Sequence, residues 1–216
     1  MNGSLFTPEL VPVYTERQRQ ILNNATPENV KAGLAWYQDA HDISEDVAQR
    51  TGVPGIVVRR ILSKISPRNR WESTPEQAES LILRGMDAKI GTTNTLKAMA
   101  YQMVQDHQLH LFDYQKAPKT YCFTENMDKP KERRVIETTL NRRPVVVPVV
   151  TCDRHTIISF GLPFSPNGKG ENSQISLSQY VYLSLILDNV SREFGWLPQE
   201  AQAIGWLEQR QGLVAN

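Results

Sequence analysis

The chain has 216 residues, 40% of them apolar, a formal net charge of +1 and a mean hydropathy of −0.43. That suits one large domain or two small helical lobes with ample core; no apolar run approaches the roughly eighteen residues of a membrane span, and Met1 to Thr15 lacks the basic start and apolar stretch of a signal peptide. Cys122 and Cys152 are the only cysteines, too few for an all-cysteine zinc or iron–sulfur site, and they are expected to be reduced thiols.

Helix signals dominate the chain. Thr26-Pro27-Glu28 reads as an N-cap, a proline at the first helical position and an acid in the first turn, followed by Val30, Leu34, Ala35 and Tyr37. A second helix is predicted over His41 to Arg50, stopped by Gly52, and a third from Val53-Pro54, with Ile56, Val57, Ile61, Leu62 and Ile65 on one face and Pro67 ending it. From Val47 to Trp71 there is no acid, while Arg50, Arg59, Arg60, Lys64, Arg68 and Arg70 are present. Either this is a phosphate-binding face or it is a solvated one.

Thr74-Pro75-Glu76-Gln77 repeats the start signal as a capping box. Leu96 to Asp106 and Thr120 to Met127 read as helices. The polar stretch 128–143, with Lys129, Lys131, Arg133, Arg134, Arg142 and Arg143, reads as a loop or insertion, and Val145 to Val150 as an extended segment that Pro148 demotes to an edge. Pro163 to Gly168 is turn material. Ser176 to Phe194 is a long helix, and Pro198 opens the last one, where Trp206 is expected in the core.

Four ordered segments resemble the helix-hairpin-helix, endonuclease III-like DNA glycosylases. Ile61 to Trp71 is similar to the helix end and loop that probe the strand. Gly91-Thr92-Thr93-Asn94-Thr95-Leu96-Lys97-Ala98 resembles a glycine-led helix start. Ala117-Pro118-Lys119-Thr120 falls where that superfamily places its hairpin and, in some members, a catalytic lysine. Val149 to His155 resembles its Val-Asp-x-His segment with a catalytic aspartate. The segments Ile21 to Ala25, Ser66 to Trp71, Asp153 to His155 and Pro198 to Trp206 also look like a family of uncharacterised, mainly phage-encoded proteins. One departure stands out: Ala117-Pro118 replaces the hairpin's glycine-rich turn, and proline offers no N–H to a phosphate. The basic segment 128–143 then either replaces that contact or caps the cleft.

The resemblance implies an all-α fold: a two-lobed helical bundle of the helix-hairpin-helix glycosylase type. The N-terminal helices of 1–52 would pack with the C-terminal helices of 151–216, and 53–150 would form a central lobe with a cleft between them. It implies a flipped base, reached by unstacking, and a carboxylate that stabilises the positive charge growing on the sugar as the N-glycosidic bond breaks. Asp153 is that candidate; the alternative is that it caps the helix after it. Lys119 is the candidate nucleophile. Arg68, Asn69, Arg70, Trp71, Lys97, Arg133 and Arg134 are candidate DNA contacts, Trp71 either stacking on a base or packing its loop. Arg154, His155, Glu200 and Gln202 are candidate supports of the site.

His107, His110 and Asp106 lack an obvious further ligand, so no metal or cofactor is expected. The expected function is a DNA-base N-glycosylase acting on a possibly modified base. Two rivals stand: a base-hypermodification transferase on the same scaffold, and a non-catalytic DNA-binding module. The expected setting is a cytoplasmic monomer, in host cytoplasm if phage-encoded, with DNA as partner and no membrane.

Overall fold

A computed structural model describes residues 8–67, 69–109, 113–140, 142–162 and 175–214. Arg68, His110 and the turn at 163–168 lie outside the described residues. The chain is mainly helical: α1 (Val11–Asn23), α2 (Pro27–Thr51), α3 (Gly55–Ile65), α4 (Thr74–Arg84), α5 (Asn94–Gln105), α6 (Pro118–Asp128), α7 (Arg154–Ser159), α8 (Leu177–Glu193) and α9 (Pro198–Val214). One antiparallel pair, β1 (Val135–Leu140) and β2 (Arg143–Pro148), departs from an all-α reading. No helix among the described residues is long and apolar enough to cross a membrane. Two units divide the chain, one of 1–37 with 131–216 and one of 38–130; the division falls within α2 and after Pro130, in place of the expected boundaries at 52 and 150.

In the unit 38–130, α3 packs against α4, α5 and α6. Its Val57, Val58, Ile61, Leu62 and Ile65 are buried with Ala78, Leu81, Ala100, Met103, Cys122 and Met127. Arg59 and Arg60 are buried too, which corrects the expectation of an exposed basic face here. Arg59 pairs with Glu45 and with Asp128 at 2.8 Å, and Arg60 donates to the His107 carbonyl at 3.2 Å. The acids that neutralise the stretch come from outside it, Arg50 likewise meeting Glu79 at 3.0 Å.

The unit 1–37 with 131–216 is built on α8, which packs against α1, α9 and β2. Ser176 and Gln179 form the capping box that starts it, and Tyr180, Leu183, Leu187 and Val190 are buried along it. On α1, Tyr14, Gln18 and Leu22 recur every fourth residue as its buried stripe. Gly33 lets α2 approach α9, since a Cβ there would lie 2.8 Å from the Ile204 backbone.

Three local expectations need correction. His41 to Arg50 is not a separate helix; with no glycine or proline after Tyr37, α2 runs on to Thr51 and ends at Gly52, φ +73°. The capping box at Thr74 does not form: the Thr74 hydroxyl donates to the Arg70 carbonyl, and Gln77 bonds Ser73 and the Gly91 amide. The segment 128–143 is not all loop. Val135-Ile136-Glu137-Thr138-Thr139-Leu140 pairs in register with Arg143 to Pro148, with Ile136 opposite Val147 and Thr138 opposite Val145. Its residues alternate at period two, burying Thr138 and Val147 on one face and exposing Glu137 and Val146 on the other.

Candidate functional site

Asp153 follows a buried run, Val147 to Cys152. Tyr180 pins that run from α8: its hydroxyl donates to the Val150 carbonyl at 2.7 Å and accepts from the Cys152 amide at 2.9 Å. The chain then turns into α7 with Asp153 as N-cap, so the capping role is realised. Asp153 Oδ1 accepts from the Thr156 amide at 3.0 Å and from Thr156 Oγ1 at 3.1 Å. Both bonds use Oδ1, and among the described residues Oδ2 takes none.

A buried relay backs this carboxylate. The Tyr37 hydroxyl donates to Gln202 Oε1 at 2.9 Å, Gln202 Nε2 donates to Thr156 Oγ1 at 3.4 Å, and Thr156 Oγ1 donates to Asp153. Donor and acceptor roles are consistent along all three links, which ties α2 and α9 to α7. Gln202 is a candidate from the sequence; Tyr37 and Thr156 are not, because nothing local marks them.

Beside the relay lies a half-buried aromatic row. The His155 ring meets Trp206 edge-on at 5.9 Å, Trp206 meets Trp36 at 5.8 Å, and Trp36 meets Tyr37 at 4.7 Å. Arg210 sits 4.7 Å over Trp206, and Arg154 approaches His155 Nε2 at 3.3 Å. Trp206 is therefore not a fully buried core residue. Such a row offers π-faces and cations next to a fixed carboxylate. Glu200 has a different role at the start of α9, accepting from the Leu197 amide at 2.9 Å and pairing with Lys131 at 3.0 Å. A cavity of about 390 Å³ lined by Arg17, Gln20, Ile21, Asn24, Glu208 and Gln209 does not include Asp153.

Several expected DNA contacts are engaged within the protein. Arg133 grips Asp188 through two bonds, at 2.8 and 2.5 Å, and that carboxylate raises the Arg133 pKa. Lys97 Nζ donates to the carbonyls of Met86, at 2.6 Å, and Ala88. Asn69 Nδ2 donates to the Ile65 carbonyl at 2.7 Å, closing the end of α3. Trp71 packs edge-on against Phe123 at 5.7 Å, the loop-packing alternative. The backbone carbonyl of Arg134, a half-buried residue, accepts from the Val149 amide at 3.0 Å. Arg70 is exposed and Lys119 half-buried in the first turn of α6, and neither forms an ion pair among the described residues. Lys119 belongs to one unit and Asp153 to the other. Among the described residues, no group of three or more His, Cys, Asp and Glu side chains is placed to hold a metal.

The model of a family of unknown function, DUF7178, matches residues 7–212. The chain belongs to this family. No match was found to a curated protein or to a solved structure. The span shared with DUF7178 takes in Asp153, its relay and the aromatic row, as well as Lys119 and the β1–β2 pair.

Proposed function

We propose that the chain is a DNA-directed enzyme of the base N-glycosylase type, a two-lobed relative of the helix-hairpin-helix glycosylases, working as a cytoplasmic monomer. The observation that carries this reading is the half-used carboxylate of Asp153. Oδ1 is held by the cap and braced by the relay, while Oδ2 is uncommitted. A carboxylate fixed in this way needs no reorganisation to stabilise positive charge developing on a sugar. The glycosidic bond breaks with its electron pair leaving on the base, which takes up one proton from solvent; a water oxygen bonds to C1′ and keeps one hydrogen as the new hydroxyl, and its second proton returns to solvent. Arg154 and His155 follow the carboxylate directly in sequence, and the row of Trp206 and Trp36 suits a stacked base. Lys119 belongs to a lyase variant, in which an amine replaces water at C1′.

The test is base release, read by mass, from duplexes carrying varied modified bases. Asparagine caps helices as well as aspartate does, so Asp153→Asn keeps the fold while removing the charge. Release should fall by about 10²–10³-fold with DNA binding unchanged. A variant that loses binding and release together has lost structure, and the catalytic reading fails. Wild-type protein that binds DNA but releases no base favours the non-catalytic module. That alternative is supported by Pro118, which brings no N–H to the first turn of α6.

A further inference from the structure

The β1–β2 hairpin has an anchored stem and a cationic tip. At the stem, Arg133 is held by Asp188, Lys131 Nζ reaches Glu200 at 3.0 Å and the Leu34 carbonyl at 2.6 Å, and Gln199 Nε2 donates to the Glu132 carbonyl at 3.0 Å. The stem's cations are thus spent on internal partners. At the other end Leu140 pairs with Arg143, so residues 141 and 142 join the strands. Arg142 and Arg143 are both exposed, and neither forms an ion pair or a side-chain hydrogen bond among the described residues.

The backbone makes the tip more telling. Arg142 has φ +63°, the one non-glycine residue with positive φ among the described residues. Two-residue hairpin turns require left-handed backbone and favour glycine there. An arginine at such a position is strained, and no side-chain hydrogen bond or ion pair among the described residues offsets that strain. The outer face beside it, Val135, Thr139, Pro144 and Val146, is exposed and uncharged except for Glu137.

We propose that this tip is a nucleic-acid contact, with Arg142 and Arg143 taking backbone phosphates of duplex DNA. The guanidinium fork matches phosphate oxygens in pairs, and a two-stranded ribbon has the width of a major groove. The proposal rests on the DNA-directed reading above. It names the element that holds the duplex where Ala117-Pro118 stands in place of a glycine turn.

The experiment is fluorescence anisotropy of a labelled mixed-sequence duplex with the full chain over a salt series, comparing wild type with the Arg142→Gly, Arg143→Gln double variant. The slope of log affinity against log salt should shrink by about 1.8, and affinity at 0.1 M salt should fall about eightfold per lost contact. Arg142→Gly alone should melt no lower than wild type, which separates lost binding from lost fold. If the wild type binds and the double variant matches it in affinity and slope, the tip inference is overturned and the DNA reading stands. If the wild type does not bind the duplex, both fall. A double variant that keeps duplex binding but loses binding to phosphatidylserine vesicles also overturns the inference.

Discussion

Removing one oxygen atom tests the relay behind Asp153. Tyr37 is 3% exposed and Gln202 7% exposed, and the hydroxyl lies 2.9 Å from Gln202 Oε1. Tyr37→Phe leaves almost no cavity, but Oε1 loses its sole protein donor among the described residues. A buried acceptor stranded in this way costs about 1–3 kcal/mol. For a chain of this size each kcal/mol moves the melting temperature by roughly 2–4 °C, so a cost of about 2 kcal/mol lowers it by roughly 4–8 °C. The assay is thermal unfolding followed by circular dichroism, run as a double-mutant cycle with Gln202→Leu. The two substitutions together should cost less than their sum, by about 1 kcal/mol. If Tyr37→Phe melts with the wild type, or the two losses simply add, the relay does not brace the site. In an active enzyme Tyr37→Phe should lower the rate of base release and leave DNA binding unchanged, as befits a positioning residue.

Gly33→Ala should destabilise by about 1–3 kcal/mol, despite alanine's better helix propensity, because the new methyl meets the Ile204 backbone; a melting point at or above wild type would refute the close approach of α2 and α9. Hydrogen bonding from Arg19, aided by its charge, holds Glu193 below its ordinary 4.5. The folded value lies below the unfolded one, so this contribution is full above about pH 4.5 and is lost as pH falls through the folded value. Glu193→Gln should therefore flatten the acid limb of a melting-temperature–pH profile, and an unchanged limb would contradict the pairing.

The starts of α2 at Thr26-Pro27 and of α9 at Pro198, the end of α2 at Gly52 and the buried stripe of α3 were all legible in the sequence. So was the choice at Asp153 between a cap and a functional carboxylate. Caps, prolines and apolar spacing act within a turn or two of backbone, so a linear reading captures them. The fate of the charges was not legible. Arg59 and Arg133 read as parts of a basic face and Lys97 as a DNA contact, yet their partners are Glu45 and Asp128, Asp188, and the carbonyls of Met86 and Ala88, all set by tertiary packing. The relay joins residues as far as 165 positions apart, and β1 finds its hydrogen-bonding partner along one edge in β2. The sequence by itself determined where helices begin, end and hide their apolar sides. Only the tertiary structure decided which polar groups are satisfied and which are left exposed, because a charge or hydroxyl takes its role from neighbours that distant parts of the chain bring to it.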